Sequence, residues 1–180
     1  LDWGRYRDFT ALVVLREERG RLQAVFAGRL PATSWQVQTE RLVCHIDEWW
    51  VRAVCCDATG IGDPLTESLQ ACLSERKMDV HLEPIVFTPS AKRTLVESLA
   101  LAMERRRIAI PPHPDLLREL HAFSASRSAS GHIRLQAQGG EHDDLVIALA
   151  LAYHAAERFS AGTAGRLWRT SGTRRDSANA

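Results

Sequence analysis

No two cysteines in this sequence are spaced as a CxxC pair, and no Cys/His spacing resembles a zinc site. The 4 cysteines (Cys44, Cys55, Cys56 and Cys72) are therefore expected to be free thiols, three of them inside predicted core elements. No apolar run of 18 residues without a charge occurs, and no signal peptide opens the chain. A membrane span is not expected, and the location expected for the chain is the cytoplasm. No Gly-Lys-Ser/Thr follows Gly60 and Gly62, which excludes a P-loop and ATP hydrolysis by that route; the two glycines read as a tight turn. There are no internal repeats. The net charge of +1 carries no large excess of either sign, so any nucleic-acid surface has to be local.

What is present suffices for one domain. The 180 residues are 45% hydrophobic and 25% charged, an ordinary globular composition. Residues 9–18 and 22–30 read as a β-hairpin. A helix is expected over 35–50, capped by Ser34 and carrying Leu42, Ile46, Trp49 and Trp50 on one apolar stripe. VRAVCCD (51–57) is continuously apolar, as a buried parallel strand is, and stops at Asp57. A helix over 63–77, a strand over 82–88 and a helix from Ser90 to Arg107 follow, the last with Leu95, Val96, Leu99 and Met103 inward. A short extended piece spans 107–111, a helix 115–124, a loop or hairpin arm 124–131 and a strand 132–138. Alternating strands and helices predict an α/β domain with a mixed sheet. It occupies residues 1–159, and 160–180 form a basic tail with little to bury. Leu1-Asp2-Trp3-Gly4 reads as the end of a strand, which suggests a domain from a longer polypeptide.

The chemistry concentrates in EHDDLVIALALAYHAA (141–156). Asp143 and Asp144 directly precede a run that is apolar on nearly every face, hence a buried helix. Burying an acidic pair is costly unless a helix terminus or a cation answers for it. Asp57 ends a buried strand, where sites in open α/β sheets form, and Asp2 lies on a first strand beside the hairpin. Carboxylates from three remote segments would suit a hard divalent cation. Each acid also has a plainer role: Asp57 as a turn cap, Asp143 as the cap of the last helix, and Asp2 as an ordinary acid. Asp8 reads as a surface residue of the hairpin, and His142 as a surface or packing residue beside the acids.

The blocks DWGRYRDFTALVVL, DATGIGDPLTESL, IVFTPSAKRTLVESLALAMERRRIAIP and GGEHDDLVIALALAYHAA resemble, in order and approximate spacing, the C-terminal nuclease domain of the large terminase subunit of tailed bacteriophages. The resemblance runs through most of residues 1–158. It implies a ribonuclease H-like fold, a mixed β-sheet with helices on both faces, and two divalent cations, Mg²⁺ or Mn²⁺. Carried over by position, the catalytic acids are Asp2, Asp57 and Asp144, and Asp143 is an additional or alternate ligand; as a hypothesis of mechanism, Asp2 is assigned to both metals, Asp57 to one and Asp144 to the other. The implied activity is endonucleolytic cutting of concatemeric double-stranded DNA without base specificity. The implied partners are a packaging ATPase domain N-terminal to Leu1, a portal and a small terminase subunit, in the cytoplasm of an infected or lysogenic host. The isolated domain is expected to be a monomer. A resolvase-type nuclease of the same fold and a non-catalytic docking module stand as alternatives.

DNA has to be held near the acids by cations. Arg5, Lys92, Arg93, Arg127 and Arg134 are the candidates, and the resemblance supports Lys92, at a helix start where family members often carry a lysine. Arg7 and the tail residues Arg166, Arg169, Arg174 and Arg175 could add phosphate contacts. Taken singly, each also reads as a solvated surface charge.

Overall fold

The computed structural model describes residues 1–4, 9–127, 133–137 and 142–163, with the backbone alone for 124–127, 133–137 and 161–163. In chain order the elements are β1 (Thr10–Glu18), β2 (Arg21–Leu30), α1 (Trp35–Glu48), β3 (Ala53–Asp57), α2 (Gly62–Glu75), β4 (His81–Ile85), α3 (Pro89–Glu104), β5 (Ile108–Ala109), α4 (Pro114–Ala122), β6 (Phe123–Arg127), β7 (Ile133–Ala137) and α5 (Asp144–Thr163).

Two sheets are stitched into one by the first two residues. β1 pairs antiparallel with β2, and β2 parallel with β5; β3 pairs parallel with β4. Asp2 exchanges both backbone hydrogen bonds with Ala11 of β1 (3.0 and 2.9 Å), while Leu1 N donates to Cys55 O (2.8 Å) and Asp57 N to Leu1 O (3.1 Å). Residues 1–2 thus stand between β1 and β3, giving the order β5-β2-β1-(1–2)-β3-β4 in a mixed sheet.

Strand alternation divides the core into two layers. Leu12 and Val14 of β1 and Val54 and Cys56 of β3 face α1 and α2, meeting Leu42, Ile46, Leu69 and Leu73. Ala11, Val13 and Cys55 face the opposite way, into a layer built from α3, α4 and the buried run of α5. The continuous apolar character of VCC follows from this: its neighbouring residues serve opposite layers. Leu145 to Leu151 are all buried, as a helix apolar on every face requires.

Several sequence expectations are corrected. Trp50 leaves the α1 stripe: the helix ends at Glu48, Trp50 turns into the left-handed region (φ 54°), and its side chain is 80% exposed. Met103 is 37% exposed, so the core side of α3 is Leu95, Leu99 and Ala102, with Val96 packed against them. Cys44 is exposed and Cys72 only partly covered; Cys55 and Cys56 are the buried thiols. Of the two readings of 124–131, loop or hairpin arm, the arm holds for 124–127: Phe123–Arg127 form β6, antiparallel to β7 in the register Phe123↔Ala137 to Arg127↔Ile133, and the helix expected to 124 ends at Ala122. The strand expected over 82–88 ends at Ile85 because Thr88 caps α3, its side chain accepting from Ala91 N (3.1 Å). The α5 backbone continues to Thr163. Asp8, Arg5, Arg7 and the tail arginines lie outside the described residues. Among the described residues no helix is long and apolar enough to cross a membrane.

Candidate metal centre

Three segments deliver carboxylates to one end of the central strands. Asp2 is carried by the short strand between β1 and β3, Asp57 is the last residue of β3, and Asp143 and Asp144 open α5. Their proximity is written in the Asp2 carboxyl. Its pKa is held well above the ordinary carboxylate range, first by burial, then by the negative charges of Asp57 and Asp144, with Asp143 adding to them. The four side chains therefore share one electrostatic neighbourhood.

Asp57 is oriented by its own turn. Its Oδ1 accepts from Thr59 N (2.8 Å) and Thr59 Oγ1 (2.5 Å), and the same hydroxyl accepts from Phe87 N (2.8 Å) in the β4–α3 connection. The turn-cap role considered for Asp57 is thus present, through one oxygen of its carboxylate. Gly60 takes a left-handed conformation (φ 60°), and a β-carbon on Gly62 would stand 2.2 Å from Asp57 O. The ATGIG turn therefore needs glycine at 62 for close approach and at 60 for backbone freedom.

Asp144 is almost fully buried. Its Oδ2 accepts from Phe9 N (3.2 Å) and lies 3.6 Å from His142 Nδ1. His142 also stacks edge-on against Phe9 (5.2 Å between ring centres), so it lines the carboxylate cluster. Asp143 faces Lys92 Nζ at 3.2 Å. Its main-chain carbonyl accepts the first helical bond, from Ile147 N (2.9 Å), and among the described residues the side-chain bonds to the α5 N–H groups come from Glu119.

That cap comes from Glu119 of α4. Glu119 Oε2 accepts from Leu145 N (2.8 Å) and Val146 N (3.1 Å), and Oε1 pairs with Arg29 of β2. An anion at a helix N-terminus satisfies orphan N–H groups and complements the helix dipole. Burial raises the Glu119 pKa, opposed by the Val146 N–H and by Arg29. Because Glu119 does this work, the Asp143 carboxylate is left to face Lys92 and the acids. Sequence reasoning missed Glu119. Its one signal was position: it lies three residues after Leu116, on the buried face of an amphipathic helix. Thr59 and Thr10 were also missed. Thr10 Oγ1 donates to Gly4 O (2.8 Å) and accepts from Gly4 N (3.1 Å), fixing the chain just after Asp2.

Of the cations expected to hold DNA, Lys92 stands at the acids and Arg93 is partly exposed beside it on α3. Arg127 and Arg134 lie opposite neighbouring positions of the β6–β7 hairpin, where only the backbone is described. Arg5 is outside the described residues. Four carboxylates near enough to act on the Asp2 carboxyl are donors of the kind a hard divalent cation takes, and among the described contacts Lys92 Nζ reaches Asp143 and His142 Nδ1 lies near Asp144.

Comparison with known proteins agrees with this architecture. A family profile described as the terminase RNaseH-like domain matches residues 1–156. A large terminase subunit of Thermus virus P23-45 is 33% identical over 153 residues, which is 84% of this chain and 30% of that protein. The chain thus spans under a third of the length of that relative. Among solved structures, the large terminase nuclease from thermophilic phage G20c superposes with a TM-score of 0.74 at 31% identity, covering 85% of this chain and 78% of that one. A magnesium-bound form of the G20c nuclease superposes at 0.66 with 27% identity, covering 83% of each. The fold is ribonuclease H-like, and the chain belongs to the terminase RNaseH-like domain family.

Proposed function

We propose that this chain is the DNA-cutting domain of a phage large terminase subunit, hydrolysing phosphodiester bonds of double-stranded DNA with two divalent cations held by Asp2, Asp57 and Asp144, Asp143 assisting. The observation that carries this reading is the arrival of Asp2, Asp57, Asp143 and Asp144 at one end of the central strands, with the Asp2 carboxyl held up by burial first and then by the other acids, a cost that a cation would relieve. Divalent cations held there would supply charge stabilisation at the phosphate and a more acidic water.

The protein's own groups do the rest. Thr59 holds one oxygen of Asp57, and the other is the oxygen this reading assigns to a cation. Glu119 fixes the α5 start, and with it the spacing of Asp143 and Asp144 from the sheet. Phe9 N–H holds Asp144 against the start of β1. Lys92 balances Asp143 and, with Arg93 next to it, is the cation this reading assigns to a phosphate oxygen. Arg5, Arg127 and Arg134 remain candidates for sequence-independent backbone contacts. In the full packaging motor the ATPase domain, portal and small subunit are the partners this reading implies, in the host cytoplasm, where concatemeric DNA is the substrate.

The test is Mg²⁺- or Mn²⁺-dependent nicking of supercoiled plasmid, abolished by EDTA, run beside a linear duplex, a four-way junction and an RNA–DNA hybrid. Cutting of duplex DNA is expected. Cutting confined to the junction or the hybrid would reassign the substrate, and metal-independent or absent cutting would overturn the reading.

A further inference from the structure

Cys55, Glu83 and His154 bring a thiol, a carboxylate and an imidazole to one point. Their sulfur, oxygen and nitrogen atoms all lie within 4.8 Å of one another. Three elements supply them. Cys55 is on β3, Glu83 is its register partner on β4, and His154 is on α5, which packs against Cys55 and reaches Glu83 through His154 and Arg158. The three positions are so far apart in sequence that no local spacing announces the group.

The distances suit a shared cation better than a bare ion pair. His154 Nε2 stands 3.9 Å from Glu83 Oε1, beyond hydrogen-bond reach. Ligand lengths of about 2.0–2.3 Å on a tetrahedral zinc set its ligand atoms roughly 3.3–3.6 Å apart. Arg158 Nε also meets Glu83 Oε1 (3.1 Å), from a side chain that is 63% exposed. That pair does not block a cation, because the carboxylate has a second oxygen and the guanidinium is free to move into solvent. Beside Glu83 lies a cavity of about 330 Å³, lined also by His81, Ala155 and Arg158. A water takes about 30 Å³ of liquid, so the cavity has room for a hydrated ion to approach and for a water to complete its coordination.

We infer that Cys55, Glu83 and His154 form a separate cation site that takes Zn²⁺ in preference to Mg²⁺. Zn²⁺ accepts thiolate, imidazole and carboxylate together, whereas Mg²⁺ demands oxygen. The Cys55 sulfur binds as the thiolate, its proton passing to solvent. Cys55 is buried and fixed in the sheet, while Glu83 and His154 are partly exposed and rotate to close on the ion. The site lies two residues inward from Asp57 on the same side of β3, about 7 Å along the strand. The sheet thus carries oxygen donors at its end and a sulfur-containing set behind them. A cation held there clips α5 to β3 and β4 about 15 Å along the helix from Asp144, and so steadies the helix that presents two of the acids.

The test is titration of the 180-residue chain with Co²⁺, a spectroscopic substitute for Zn²⁺. A near-ultraviolet sulfur-to-cobalt charge-transfer band should grow, persist in excess Mg²⁺ and bleach when Zn²⁺ is added. The carboxylate cluster contains no sulfur and gives no such band, so the result does not depend on the nuclease reading. Cys55→Ser should remove the band, and Cys44→Ser and Cys72→Ser should leave it unchanged. His154→Ala should raise the Co²⁺ needed for half-saturation by about 100-fold or more, since a ligand contributes at least as much as a partner that merely orients one. Thermal unfolding without metal confirms that each variant is folded; if Cys55→Ser is not, the partly exposed His154→Ala decides alone. Absence of the band, a band that survives Cys55→Ser, or one that His154→Ala leaves unmoved would overturn the inference.

Discussion

The carbonyl oxygen of Asp57 lies 2.2 Å from the point where a β-carbon on residue 62 would stand. The first turn of α2 is thus packed onto the end of β3 as closely as a hydrogen side chain allows. Gly62→Ala should push the turn outward, costing about 1–3 kcal/mol of stability and lowering cleavage by displacing Asp57. Denaturant unfolding and plasmid nicking measure the two effects. An alanine variant as stable and active as the parent would show that this contact positions nothing.

Thr59 reaches Asp57 twice, through its N–H and its hydroxyl, and ties both to Phe87 N. Thr59→Val keeps the N–H and the shape but removes the hydroxyl. Partners that orient metal ligands typically contribute 10–100-fold to affinity or activity, so a loss of about that size is expected. It should appear partly as a higher Mn²⁺ requirement, with the fold unchanged by circular dichroism. Thr59→Ser should restore most of it. If Val and Ser variants behaved alike, the hydroxyl would have no part in holding Asp57.

Asp2 carries a pH prediction. Its folded-state pKa is raised, by burial first and then by Asp57 and Asp144. A raised carboxyl binds its proton more tightly when folded, so its contribution to stability is fullest below the unfolded pKa and is lost as pH rises toward the folded one. The metal-free chain should therefore become less stable as pH increases through that window, and divalent cations should reverse the loss. Asp2→Asn should flatten the dependence, raise the metal-free unfolding temperature at neutral pH and abolish cleavage. Unfolding temperatures across pH, with EDTA and with Mn²⁺, test each part. A less stable Asn variant at neutral pH would mean that Asp2 is not under charge strain.

Glu119 is the hinge between the two halves of the site. It is buried, pairs with Arg29 and caps α5. Glu119→Ala leaves Arg29 and two helical N–H groups without this partner and should cost about 3–5 kcal/mol. Arg29→Met keeps the cap and should cost less. Urea unfolding of both variants decides the order, and a reversed order would move the main role to the ion pair.

Much of this was legible in the sequence because strand and helix periodicities report burial directly. The apolar run at 51–57 marked a central strand ending on an acid, and the all-round apolar α5 marked a buried helix behind Asp143 and Asp144. What was not legible depends on groups that meet only after folding. Nothing near Asp143 announces that Glu119, more than twenty residues earlier, supplies the helix cap. The stripe that included Trp50 failed because helical spacing continues on paper past the point where the chain turns at φ 54°. The Ser-rich stretch after Phe123 lacks the alternation that would decide between loop and hairpin arm, and its pairing with 133–137 settles it as the arm.

The most direct test of the central claim is plasmid nicking by the parent chain and by Asp57→Ala in Mn²⁺, with thermal unfolding confirming that both are folded. Asp57 sits at the exposed end of β3, so the alanine variant should fold and leave supercoiled DNA uncut. A folded Asp57→Ala chain that nicks at the parental rate would contradict the account, because the carboxylates gathered around Asp2 would then not be the groups that cut.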